Sequence, residues 1–294
     1  MSLVVLRALG LGDLLTAVPA LRGLARAFPE HERVLLAPAA LEPIVALMGG
    51  AVDRVVDTAG VRALPERLPP DAPGRPDVAV NLHGRGPQST DLLRGLAPRR
   101  LVAFGIQARW RDDEHEARRW CRLLGSAGIP ADPRELDIAA PDEPSPCPGA
   151  TVIHPGASAA ARRWPAERWA EVARAAPRPV VVTAGPGEEE LAATVARAAG
   201  AEVFARGLGA LAALVAGARR VLCADTGIAH LATALGTPSV VLFGPTSPER
   251  WGPPAGRSRH RVLWAGRAGG DPNGDTPDPG LLALQPRDVL EAIA

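Results

Sequence analysis

The chain has 294 residues, long for one hydrophobic core and enough for two domains, because single cores stop growing near ~250 to 300 residues. Apolar residues make up 47% and charged residues 22%, which excludes disorder. Lys plus Arg number 33 against 32 Asp plus Glu, a net charge of +1, which excludes a general nucleic-acid binder held by a phosphate-facing field. No Lys and no Tyr occur, so every fixed side-chain cation is an Arg. Cys121, Cys147 and Cys223 show neither zinc-ligand spacing nor a CxxC pair, and fit a reduced, cytosolic setting.

The N-terminal MSLVVLRALGLGDLL carries an Arg inside its short apolar run and no small-residue cleavage site, so a first β-strand is expected and not a signal peptide. A helix to Phe28 follows, its start left open by Pro19. Then come RVLLAP, a helix near Leu41 to Met48, DRVVDT and DVAVNL, the βαβ rhythm of a parallel sheet. Helices near 87–96 and 111–127 flank the strand RRLVAFG. The proline-rich AAPDEPSPCPGA, Ala139 to Ala150, has the composition of an interdomain linker.

Beyond the linker the rhythm restarts with TVIHPG, a helix at Pro165 to Ala176, PVVVTAG, a helix at Glu188 to Ala199, AEVFAR, a helix at Leu208 to Ala218, and RVLCAD. The apolar run Thr226 to Pro248 is long enough for a membrane span, but Gly236, Pro238, Gly244 and Pro245 would break a helix across it. A helix at Gly227 to Leu235, a turn at Gly236-Thr237 and a buried strand at Pro238 to Phe243 are predicted instead. The expected fold is α/β, with two doubly wound parallel-sheet domains over residues 1–140 and 151–294 facing across a cleft. The last helix is free to pack back on the first domain.

Ligands of open parallel sheets bind beyond the carboxyl ends of the strands, so chemistry is sought there. In Asp225-Thr226-Gly227 a strand gives way to a helix, whose unpaired N–H groups and dipole favour an anion such as phosphate. His230 follows at helical spacing, toward the same end. The plainer alternative is a helix cap beside a satisfied histidine. In HPGASAAARRWP, Gly156, Ser158 and Arg162 can offer backbone N–H groups, a hydroxyl and a guanidinium to a diphosphate; otherwise Arg162 and Arg163 are solvated and Trp164 packs the domain. In TAGPGEEE, Glu188 either complements the helix dipole or accepts ribose hydroxyls. In LRALGLGDLL, Gly10 and Gly12 precede Asp13, which is an N-cap or a general base. No His, Asp or Glu cluster suggests a metal.

Three segments in this order resemble the glycosyltransferases of family 9, the heptosyltransferase type: RALGLGDLLTAVPALRGLARAFP, IHPGASAAARRWPAERWAEVA and ADTGIAHLATALGTPSVVLFGPTSPERWGP. The resemblance implies a GT-B architecture of two Rossmann-like domains. It implies that Asp225, Thr226, Gly227 and His230 hold the sugar and diphosphate of a nucleotide-sugar donor, with Ser158 and Arg162 at the diphosphate and Glu188 at the ribose. Arg162 stands where the family carries Lys, keeping charge but not geometry. Asp13 matches the aspartate of the family's G-D motif and would be the base of an inverting, single-displacement transfer, with Gly10 and Gly12 as loop residues toward an acceptor. The implied partners are a nucleoside-diphosphate sugar, most simply ADP-heptose, and a glycan or glycolipid acceptor. No metal cofactor and no nucleic acid are expected, and a cytoplasmic location allows transient contact with the inner membrane surface. A UDP- or GDP-sugar, or a binding protein without turnover, are the alternatives.

Overall fold

The first apolar run forms β1 (Ser2–Leu6), buried on both faces from Leu3 onward, as an unbroken run of Leu and Val predicts for the middle of a parallel sheet. It pairs with β2 (Glu32–Ala37) on one side and β4 (Val78–Asn81) on the other, and β3 (Arg54–Asp57) and β5 (Arg100–Val102) close the edges. The order is β3-β2-β1-β4-β5, every pair parallel. Helices α1 (Leu11–Ala27), α2 (Glu42–Val45), α3 (Gln88–Arg94) and α4 (Glu116–Ser126) accompany this sheet. The computed structural model describes residues 1–59, 66–266 and 269–294, and within it the chain divides into two units, Met1–Ala139 and Ala140–Ala294.

Local details depart from the sequence expectations for identifiable reasons. α1 runs through Pro19, with Gly10 as its N-cap, so Asp13 is the third helical residue and not a cap. The helix expected near Leu41 to Met48 is a short α2 between two 3-10 turns, ended by Gly49 at φ +65°. α4 begins at Glu116, later than the expected Arg111, because His115 caps it: its Nδ1 accepts from the Ala117 N–H at 3.2 Å.

The second sheet contains β6 (Thr151–His154), β7 (Val180–Thr183), β8 (Glu202–Phe204), β9 (Arg220–Ala224), β10 (Ser239–Phe243) and β11 (His260–Trp264). Its order is β8-β7-β6-β9-β10-β11, again all parallel. With it go α5 (Ala166–Ala175), α6 (Glu189–Ala199), α7 (Leu208–Ala216), α8 (Gly227–Leu235), α9 (Pro248–Trp251), α10 (Pro279–Ala283) and α11 (Pro286–Ile293). The apolar run divides as predicted into α8, a turn at Gly236 and a fully buried β10. No helix among the described residues is long and apolar enough to cross a membrane. Val289 and Ile293 of the last helix join the core of their own unit, beside Trp164, Trp169 and Leu242. The three cysteines are free thiols.

Both sheets grow outward in two directions from a central pair, β1 and β4 in the first unit, β6 and β9 in the second. These are topological switch points, where the loops leaving adjacent strands diverge to opposite faces and open a crevice.

Candidate functional site

At the β6/β9 switch point the loops after the two strands converge. Thr226 is the N-cap of α8 in extended conformation, yet its hydroxyl makes no capping bond; in the first turn of this nine-residue helix the Ala229 N–H donates to the Thr226 carbonyl at 3.0 Å, and the helix N-terminus carries its partial positive charge here. The plain capping alternative for Thr226 is thereby removed. Asp225 is buried at 5% exposure, and its N–H donates to the Leu242 carbonyl at 3.0 Å. From the β6 side, Arg162 Nη1 donates to the Asp225 carbonyl at 3.2 Å and Nη2 donates to Ser158 Oγ. Its Nε is shut from solvent with no hydrogen-bond partner among the described residues. Arg162 is therefore not a solvated surface residue, and Arg163 Nε donates to the Ala157 carbonyl at 2.8 Å. Trp164 packs the core as expected, edge-on to Trp169 at 4.9 Å. One turn into α8, the His230 ring meets Trp251 at 5.8 Å.

Glu188 is the N-cap residue of α6, but its carboxylate turns back toward β6. Oε2 accepts the Gly185 N–H at 3.0 Å and lies 3.5 Å from His154 Nε2. Gly156 makes this possible, because a Cβ there would overlap the Glu188 carboxylate. Burial pushes the His154 imidazole below its ordinary value, partly offset by Glu188. Nδ1 lies 3.0 Å from Thr183 Oγ1, so a neutral ring protonated on Nε2 satisfies both neighbours. The carboxylate thus joins the β6 and β7 loops, which spacing alone did not suggest.

In the first unit the β1/β4 switch point is built around a fully buried Arg7. Its guanidinium spans the point: Nη1 donates to the Leu82 carbonyl beyond β4, Nε donates to the Asp13 carbonyl at 3.0 Å, and Nη2 lies 3.4 Å from both Asp13 Oδ1 and Glu116 Oε1. Glu116 also pairs with Arg119 and accepts from Trp120 Nε1 at 3.1 Å. Arg7 and Arg119 stack over Trp120 and Trp110 at 4.7 and 4.1 Å, where guanidinium stacking offsets part of the cost of burial. The Asp13 carboxylate, 30% exposed, is the solvent-facing end of this array. Gly10 caps α1 beside it, and Gly12 is the second residue of the helix.

Sequence reasoning missed Arg7, Glu116 and Arg119, and gave His154 only as the first residue of the segment HPGASAAARRWP. His83 lies two residues past the end of β4. Burial, reinforced by the Arg7 charge, lowers the His83 imidazole to about 4. The unfolded chain binds these protons near pH 6.5, so the native state is at full strength above that value and loses stability as pH falls toward 4. Thermal midpoints measured across this window should decline, and His83→Gln should flatten the decline; an unaltered slope would assign it to other groups.

Two tandem parallel sheets of the doubly wound type, one with a helix N-terminus and a guanidinium at its switch point, are the build of a GT-B glycosyltransferase. The family model for glycosyltransferase family 9 (heptosyltransferase) matches residues 112–269, more than half of the chain, and the chain belongs to that family. Lipopolysaccharide heptosyltransferase 1 of Escherichia coli K12 is 37% identical over 93 residues, a stretch covering 30% of this chain and 29% of that protein. The match therefore spans less than a third of that relative's length. The structure of E. coli ADP-heptose LPS heptosyltransferase II is similar over 100% of this chain and 97% of that one, with a TM-score of 0.77 at 19% identity. The iron-containing dodecameric heptosyltransferase TibC, solved with ADP-D-β-D-heptose, is similar over 99% and 75% of the two chains, with a TM-score of 0.59 at 13% identity. At these identities the structural likenesses show the fold.

Proposed function

We propose that the chain transfers a sugar from a nucleoside-diphosphate sugar, most simply ADP-heptose, to a hydroxyl of a glycan or glycolipid acceptor. The observation that carries this reading is the convergence of Arg162, Ser158 and the N-terminus of α8 at the β6/β9 switch point. A diphosphate needs donors and positive charge, and this place supplies both. The heptose donor is supported by family membership and by the ADP-heptose named with the two structural relatives. Glu188 Oε1 is the oxygen we assign to the ribose, since Oε2 is engaged with Gly185 and His154.

The chemistry we assign is a single displacement. Asp13 takes the acceptor proton as its oxygen attacks the anomeric carbon from the face opposite the leaving group, which inverts that carbon. The diphosphate leaves with its charge held by Arg162, Ser158 and the α8 amides. Among the described residues no three His, Cys, Asp or Glu side chains gather as a metal site, so no step is routed through the iron that TibC contains. A glycolipid acceptor would bring the chain transiently to the inner face of the membrane.

The experiment that tests the donor site is a thermal-shift panel of ADP, UDP, GDP and their sugar conjugates. A ligand at ~100 times its dissociation constant stabilises by about 2.7 kcal/mol. A selective shift with ADP species supports the reading, selectivity for UDP or GDP replaces the donor, and no shift with any removes it. Arg162→Ala should then weaken diphosphate binding by about 1.5 to 3 kcal/mol, measured by calorimetry, and unchanged affinity would move the pocket elsewhere.

A further inference from the structure

The segment DPNGDTPDPG, Asp271 to Gly280, has no place in the chemistry above, yet it touches the donor loop at one residue. The 3-10 turn Ala160–Arg162 ends in the guanidinium. The Ala161 N–H donates to the Gly274 carbonyl at 2.9 Å, and the Ala161 carbonyl accepts the Asp278 N–H at 3.1 Å. Both backbone groups of the residue before Arg162 are thus fastened to the C-terminal segment.

The segment is tied to the core at one end of this contact and closed by a local turn at the other. Asp278 caps α10, Oδ1 accepting from Gly280 and Leu281 N–H groups at 2.8 and 3.2 Å, and Leu281 is fully buried in the core beside Trp164. At the other end Asp271 closes a turn, its carbonyl accepting from Gly274 at 3.1 Å and its Oδ1 from Asn273 at 2.9 Å. Gly244, the first residue of the GPTSP turn, is where these pieces meet: a Cβ there would lie 3.0 Å from Leu281 Cβ, 3.3 Å from Asp278 Cβ and 3.5 Å from the Ala161 carbonyl.

Among the described residues Arg162 makes only neutral bonds, to one carbonyl and one hydroxyl, and a free arginine side chain loses much rotamer freedom when a ligand orders it. We propose that residues 271–278 form a clasp that pre-orders Arg162 for the donor diphosphate, so that donor affinity is set in part from the C-terminal segment. The proposal rests on the donor-site reading above. The clasp residues are positioning residues and touch no reacting atom.

The test uses ADP as the probe and the whole chain. Asp278 has φ −65° and precedes Pro279 in extended conformation, so Asp278→Pro fits the backbone while deleting the N–H that reaches Ala161 and the cap. It should weaken ADP binding roughly three- to tenfold, the range expected for releasing one rotamer-rich side chain. It should add no further loss in an Arg162→Ala background, whereas Asp278→Asn, which retains both the N–H and a capping oxygen, should bind like the native chain. If Asp278→Pro does not fold, Asp278→Ala, which keeps the N–H and loses only the cap, should give a smaller loss in the same Arg162-dependent pattern. Equal losses with and without Arg162, or unchanged affinity while Arg162→Ala still weakens binding, would overturn the clasp alone. A native chain that binds none of ADP, UDP and GDP would overturn the donor site, and the clasp with it.

Discussion

Asp13→Asn is expected to lower sugar transfer by roughly 10²- to 10⁴-fold, the contribution of a positioned general base, while ADP affinity stays unchanged. The two effects separate because the carboxylate belongs to the first unit, whereas every residue assigned to the donor lies in the second. The structure excludes a cap, since Gly10 holds that position; the base role is the one proposed above. Asp13 is the third residue of α1, its main-chain carbonyl and one carboxylate oxygen are held by Arg7, and its side chain is 30% exposed. Single-turnover transfer and calorimetry on the same variant decide the matter. Parallel losses of binding and transfer would remove the base assignment, and a native chain that binds donor but transfers nothing would favour a protein that only senses the nucleotide sugar.

The second large effect is on folding. Glu116→Ala should destabilise the protein by about 3 to 5 kcal/mol, because deleting the carboxylate between two buried guanidinium groups leaves buried charge under-compensated. Glu116 is 4% exposed between Arg7 and Arg119, which are 0% and 2% exposed, and it also receives the Trp120 indole N–H. Denaturant midpoints would read the loss. A change below about 1 kcal/mol, the size typical of exposed pairs, would show that water reaches this array and that its contribution is that of a surface pair.

Much of this was legible in the sequence where a local pattern has one physical solution. The run from Thr226 to Pro248 had to break at Gly236 and Pro238, and the structure breaks it there. Ser158, Arg162, Asp225 and Thr226 stood at strand ends, and strand order brings those ends together. Other features left little local trace. Every residue of β11 is only half-buried or exposed, so no apolar alternation announces it. Arg7 reads as a lone charge in an apolar strand, because its partners Leu82 and Glu116 lie 75 and 109 residues away. The Glu188 carboxylate could be placed near a helix start, but its contact with His154 depends on how β6 and β7 pair.

All the residues assigned to the donor, from Ser158 to His230, are supplied by one unit with its own sheet and core. Mutations accumulating over residues 1–139 therefore leave those contacts intact. If the proposed assignment holds, descendants of such a chain would be free to change what is decorated while continuing to use the same activated sugar, so that lineages would diverge in product before they diverge in fuel.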